Sequence, residues 1–113
     1  MNGFVTKPSL TAQQLDTFAA QLEQQRRFRA EQVREYARAG TSDRSESTVA
    51  REIGDTLLRG AREALAEIDS ARARLADGSF GRCVGCGVQL PIERLEVLPH
   101  VPRCMACHRA SAG

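Results

Sequence analysis

Hydrophobic residues recur every three or four positions along two long stretches of the chain, which is the spacing of one face of an α-helix. In the first stretch these positions are Leu15, Phe18 or Ala19, Leu22, Val33, and Tyr36 or Ala37. Thr11 and Gln14 fit a capping box at its start, and Gly40 fits a helix stop. The pattern predicts a helix that runs from Thr11 to Gly40.

The second stretch has a cleaner apolar face, made of Val49, Ile53, Leu57, Ala61 or Ala64, Ile68, Ala71 and Leu75. We expect this helix to begin near Ser47 or Thr48 and to end at Asp77, with Gly78 in the usual capping position after it. Between the two stretches, residues 40–47 are polar or glycine and favour turns. Two long amphipathic helices with so short a connection predict an antiparallel hairpin.

Folding the chain about residues 43–44 sets a register for this hairpin. The resulting pairs are Tyr36 with Val49, Val33 with Ile53, Leu22 with Ala64 or Leu65, and Phe18 with Ile68. The two apolar faces meet in this register, as a folded hairpin requires. An ordinary small bundle and a dimeric coiled coil remain open as alternatives.

The composition changes at Asp77–Gly78, since all four cysteines and three of the four prolines follow this point. The sequence therefore predicts a tail over residues 1–10 and a coiled-coil arm over 11–77, with a tip loop at 40–47. Residues 78–113 form a small cysteine-rich domain. The predicted fold class is mainly α, a long antiparallel two-helix hairpin with a small C-terminal zinc finger.

The four cysteines form two pairs, Cys83 with Cys86 and Cys104 with Cys107, separated by 17 residues. Two such turns can direct four thiolates toward one tetrahedral Zn²⁺, and this spacing is typical of structural zinc sites. A redox pair, two disulfides or a four-sulfur iron cluster are weaker alternatives. His100 and His108 lie nearby, but four thiolates already complete the zinc shell.

Composition and charge limit the function further. The chain has 113 residues, 4% aromatic residues and a formal net charge of +2, so a large core is not expected and the charge does not indicate nucleic-acid binding. No apolar stretch approaches the roughly 18–20 residues that span a bilayer, and we expect a cytoplasmic location without membrane contact. No nucleophile–base pair, phosphate loop or carboxylate dyad is recognisable in the sequence, so an enzyme is not expected.

Several segments around the cysteines resemble the zinc finger of the DksA/TraR family. They are residues 77–87 (DGSFGRCVGCG), 92–96 (IERLE), Pro99 and 104–107 (CMAC). The resemblance implies a monomeric bacterial transcription regulator that binds RNA polymerase directly and makes no sequence-specific contact with DNA. Family members insert the coiled coil into the secondary channel of the polymerase, where acidic tip residues reach toward the active site.

The resemblance assigns the tip to Asp43, Arg44, Ser45 and Glu46. The family's tip motif is Asp-x-x-Asp-x-Ala, and its three positions correspond here to Gly40, Asp43 and Ser45, so only the second aspartate is present. We therefore expect Asp43 to be the main functional residue of the tip. Without the resemblance, Asp43 is better interpreted as a helix N-cap or turn residue.

Two further site predictions come from the resemblance. Positions that carry basic side chains in members responsive to the alarmone ppGpp are here Glu67, Leu98 and His108, so we expect little response to ppGpp. Arg94 matches a family arginine that either supports the finger's fold or contacts the polymerase.

Other functions remain as alternatives. The first is a zinc-finger module that binds DNA or protein without secondary-channel activity, because four arginines cluster around the finger: Arg82, Arg94, Arg103 and Arg109. The others are a thiol oxidoreductase that uses one cysteine pair, and a scaffolding coiled coil without a regulatory role.

Overall fold

A computed structural model describes residues 10–42 and 47–112 of the chain. This part contains the helices α1 (Ala12–Ser42), α2 (Thr48–Asp77), α3 (Ile92–Val97) and α4 (Met105–Ala112), and no β-strand. Helices α1 and α2 pack against each other as an arm, and the molecule measures 68 × 33 × 21 Å. These features confirm the predicted fold class. Among the described helices, none combines the length and hydropathy that a bilayer crossing requires.

The start of α1 is the predicted capping box. The Gln14 backbone N–H donates to Thr11 Oγ1 at 3.0 Å, and the Thr11 N–H donates to Gln14 Oε1 at 2.8 Å. The predicted stop at Gly40 is wrong, because α1 continues to Ser42. A glycine inside a helix costs only about 1 kcal/mol relative to alanine, so it does not end a helix by itself.

Both ends of α2 follow from local chemistry and confirm the prediction. At the start, the Ser47 side chain accepts a hydrogen bond from the Ala50 N–H at 3.1 Å. At the end, Gly78 has φ of 86°, in the left-handed region, and its N–H bonds to the carbonyl of Arg74. The chain therefore leaves the arm at a fixed angle and enters the finger.

The base of the arm and the finger share one hydrophobic core. Its buried members from the two helices of the arm are Phe18, Leu22, Ile68 and Ala71, and those from the finger are Phe80, Cys83, Leu90, Leu95 and Val101. The rings of Phe18 and Phe80 meet with their centroids 5.4 Å apart. Arm and finger consequently stabilise each other's position.

The outer half of the arm packs differently from the prediction. The predicted apolar face of α2 is buried at Ala61, Ile68 and Ala71, but Val49 and Ile53 are 65% and 56% exposed. Pairing with Tyr36 and Val33 therefore does not bury them, contrary to the prediction. The half-buried positions in this stretch are instead Ala50 and Leu58.

Two ion pairs between the helices show that the predicted register is wrong. Arg26 Nε lies 2.8 Å from Asp69 Oδ1, and Arg72 Nη2 lies 3.3 Å from Glu23 Oε1. The predicted register places the partners of each pair about two helical turns apart. The end of α1 at Ser42 moves the centre of the turn by about one residue toward α2, in the direction of this offset but not by its full amount.

We expect the two isoleucines of α2 to differ sharply in their contribution to stability. Ile68→Ala should lower the free energy of unfolding by about 2–5 kcal/mol, because Ile68 is 1% exposed and its loss leaves a cavity. Ile53→Ala removes the same atoms from an exposed site and should change the free energy of unfolding by less than about 0.5 kcal/mol. Urea unfolding of both variants measures the difference, and equal losses would contradict the observed packing.

Candidate functional site

The first cysteine pair lies on a tight loop of the finger. The Cys83 N–H donates to the Val88 carbonyl at 2.9 Å, and the Gly87 N–H donates to the Cys83 carbonyl at 2.9 Å. Gly87 has φ of 80°, which a side chain would disfavour. The loop closes on itself and directs the sulfur atoms of this pair to one side.

The second pair lies at the start of α4. The His108 N–H donates to the Cys104 carbonyl at 2.8 Å, which brings Cys104 and Cys107 onto one helical turn. The Val84 N–H donates to the Pro102 carbonyl at 2.8 Å and joins the two loops. As a result, the four Sγ atoms all lie within 4.8 Å of one another.

This cluster fits a zinc ion. Zinc bonds of about 2.3 Å to four tetrahedral sulfurs place those sulfurs about 3.8 Å apart, and the Sγ atoms of Cys86 and Cys104 are 3.9 Å apart. The Gly85 N–H donates to Cys83 Sγ at 3.3 Å, as in the outer shell of zinc–thiolate sites. A Cβ at Gly85 would lie 3.1 Å from Cys107 Sγ, so this glycine leaves room for the sulfur.

The sulfur atoms differ strongly in acidity. Hydrogen bonds from backbone N–H groups, chiefly that of Cys104, lower the pKa of Cys83 to about 6. Hydrogen bonding of the Cys107 thiol to Cys83, and then to the other two sulfurs, raises the pKa of Cys107 to about 12. Four thiolates without a cation repel one another, and a divalent ion removes this penalty. Zinc binding must therefore release protons and must weaken as the pH falls.

Comparison with known proteins agrees with this site. The family model of the prokaryotic DksA/TraR C4-type zinc finger matches residues 78–111, which contain all four cysteines. Over 89% of this chain and 84% of the other, the fold matches the solved structure of transcription factor DksA2 from Pseudomonas aeruginosa, with a TM-score of 0.72 and 25% identity. Over residues 78–111 the chain is therefore similar to the zinc finger of the DksA/TraR family. A search of curated protein sequences finds no match.

The zinc of this DksA/TraR finger has a structural role. Its ligands are Cys83, Cys86, Cys104 and Cys107, and four protein ligands leave no open position for a substrate or water. The ion joins the loop that follows the arm to the start of α4. It therefore holds together the two halves of the finger.

Two finger residues outside the cysteine pairs, Gly81 and Gln89, help to position the first loop. The cysteine spacing does not predict this role. Gly81 has φ of 91°, and a Cβ there would lie 3.0 Å from Leu10 Cδ1 and 3.1 Å from Gln89 Nε2. The Gln89 side-chain amide donates to the Gly81 carbonyl at 2.9 Å. The glycine between Phe80 and Arg82 in the family pattern is the signal that could have identified this close approach.

Arg94 contacts the finger itself. Its Nη1 lies 2.9 Å from Met105 Sδ in α4, and its Nε is buried without a hydrogen-bond partner in the described part of the chain. The contact supports the interpretation that Arg94 stabilises the finger. A polymerase contact by this residue stays a prediction.

His100 lies at the junction between finger and arm. Its Nε2 is 3.8 Å from Glu67 Oε1 of α2, and its Nδ1 is buried without a hydrogen-bond partner among residues 10–42 and 47–112. Burial lowers the pKa of His100, and the nearby Glu67 carboxylate opposes this effect.

The family resemblance assigns three positions to ppGpp. Glu67 lies on α2 beside His100, Leu98 follows α3, and His108 is exposed on α4. The weak ppGpp response stays a prediction.

The predicted tip residues Asp43, Arg44, Ser45 and Glu46 lie outside the described residues. In the chain they connect Ser42, the last residue of α1, to Ser47, the N-cap of α2. Their assignment to the tip continues to rest on the family resemblance.

Loss of one cysteine should remove the metal and unfold the finger. In Cys83→Ser, zinc bound per chain should fall from one to near zero, and the melting temperature should drop because metal binding supplies folding free energy. Val84→Ser, at a half-exposed neighbour in the same loop, should keep both at wild-type values. Zinc analysis and thermal unfolding test this, and a Cys83→Ser protein that retains one zinc would contradict the assignment.

Acidification should destabilise the protein through His100 while zinc is still bound. The folded state lowers the pKa of His100 below its ordinary 6.5, so the unfolded chain takes up a proton first and stability falls as the pH decreases through 6.5. Urea unfolding between pH 7.5 and 5.5 in excess zinc should show a shallower decline for His100→Gln than for the wild type. His108→Gln, at an exposed site, should keep the wild-type decline, and equal slopes in both variants would refute the assignment.

Proposed function

We propose that this protein is a bacterial transcription regulator that binds RNA polymerase and inserts its arm into the secondary channel to modulate initiation. The observation that carries the proposal is the fold, a slender two-helix arm anchored to a zinc finger, which it shares with transcription factor DksA2 over 89% of its length. The alternative is a finger that binds DNA or another protein without entering the channel.

The dimensions of the arm suit this task. The 31 residues of α1 correspond to about 46 Å of helix, and a two-helix rod is narrow along that whole length. The far end of the arm carries the connection between Ser42 and Ser47. A rod of this shape can act deep inside a partner while most of the protein stays outside.

The chemistry of the tip sequence supports an action close to the catalytic Mg²⁺ of the polymerase. Carboxylates are ordinary ligands and close neighbours of Mg²⁺, and residues 43–46 supply two of them, Asp43 and Glu46. In this proposal Asp43 alters the charge around the metal or the incoming nucleotide. The zinc finger and the shared core hold the base of the arm, which fixes the position of α1 and α2 relative to the finger.

The packing of the finger arginines gives less support to a DNA-binding module. Arg82 Nη1 donates to the Gly87 carbonyl at 3.2 Å, and Arg94 lies against Met105. Two of the four clustered arginines are thus used within the finger. With a net charge of only +2, the chain offers little electrostatic attraction for a phosphate backbone.

Asp43→Ala should separate binding from effect. We expect the variant to bind core RNA polymerase with a Kd within about two-fold of wild type, because only a small part of the contact surface changes. Its effect on transcription from a responsive promoter in vitro should fall to a small fraction of the wild-type effect. Asp16→Ala removes an exposed carboxylate near the base of α1 and serves as the matched control, with wild-type binding and effect. Full activity of Asp43→Ala would contradict the role of this residue.

A further inference from the structure

Three large aliphatic side chains are exposed on one face of α2 in the outer half of the arm. Val49, Ile53 and Leu57 follow one another at intervals of four residues and are 65%, 56% and 48% exposed. Positions four apart lie on the same side of a helix, so the three form a continuous strip, here called the outer stripe. None of the three side chains belongs to the hydrophobic core that the arm shares with the finger.

The half-buried positions of α2 in this stretch are Ala50 and Leu58. A Cβ built at Gly54, which lies between them in the chain, would have no atom within 4 Å, so the helix surface is open there. A mostly apolar groove of about 530 Å³ lies between the helices here, and its lining includes Tyr36, Ile53 and Leu57. The outer stripe therefore borders a groove that can receive side chains from another molecule.

The size of this surface indicates what kind of partner covers it. The three side chains expose on the order of 300 Å², against about 800 Å² per partner in a stable protein interface. Two copies of this chain paired through their outer stripes would bury too little surface for a stable dimer. A partner that also holds the arm at other points can use a patch of this size.

We propose that the outer stripe and its groove bind an aliphatic surface of RNA polymerase and supply much of the binding affinity, while the tip determines the effect. This inference rests on the function proposed above and assigns a separate role to residues near the tip. Apolar side chains of the polymerase fill the groove beside Tyr36. Burial of the outer stripe removes its aliphatic carbons from water, and this stabilises the inserted state.

The test uses the double variant Ile53→Gln/Leu57→Gln, in which glutamine keeps a high helix propensity and replaces exposed carbons with a polar group. Arg59→Gln is the matched control, because Arg59 is exposed on the same helix and lies about 200° around its axis from Leu57. Thermal unfolding first establishes that each variant keeps its fold. Fluorescence anisotropy of the labelled proteins then gives the Kd for purified bacterial core RNA polymerase.

We expect the double variant to raise this Kd at least about ten-fold, with Arg59→Gln within two-fold of wild type. At saturating protein, the double variant should reproduce the full wild-type effect on transcription.

If the wild type binds polymerase and the double variant has the same Kd, the inference about the outer stripe is overturned and the proposed function stands. Wild-type protein that fails to bind polymerase would overturn both. A wild-type dimer that the double variant converts to monomer would show that the outer stripe binds a second copy and would overturn this inference.

Discussion

Four thiolates that converge on one ion are the constraint on which the rest of this structure depends. The finger contributes only five buried apolar residues to the shared core, and a core of this size is too small to hold a fold alone. Zinc supplies the missing stability by joining the loop after the arm to the start of α4. Through Phe80, whose ring packs at a tilt against that of Phe18, the same constraint extends to the base of the arm.

Packing then changes along the arm. Near the finger, Leu22, Ile68 and Ala71 are almost completely buried, and charged side chains bridge the helices at their edges. Farther out, the described residues include none that is fully buried, and the large aliphatic side chains of Val49, Ile53 and Leu57 are exposed. Local stability in proteins follows such contacts, so the outer arm is the less stable part. This division, a firm base and an outer surface available for contact, suits the function proposed above.

Local signals in the sequence predicted the features that depend on neighbouring residues. These features are the capping box at Thr11, the start of α2 near Ser47 or Thr48, the glycine cap at Gly78 and the pairing of the cysteines. The register between the helices depends instead on contacts between residues far apart in the chain, such as the Arg26–Asp69 ion pair, and no local pattern specifies them. Because Val49 and Ala50 are adjacent, they lie about 100° apart around α2, and periodicity alone does not decide which of them faces α1. The short helices α3 and α4 have too few residues for a period to be recognised.

In the function proposed above, the end of the arm reaches the interior of RNA polymerase. The most direct measurement is photo-cross-linking from a reactive amino acid placed at position 45, in the tip sequence, with core polymerase as the partner. Cross-links to polymerase segments that line the secondary channel beside the active site are the predicted result, and a substitute cross-linker at position 16 near the base should not produce them. If the protein binds polymerase but position 45 cross-links only to its outer surface, the central claim is contradicted.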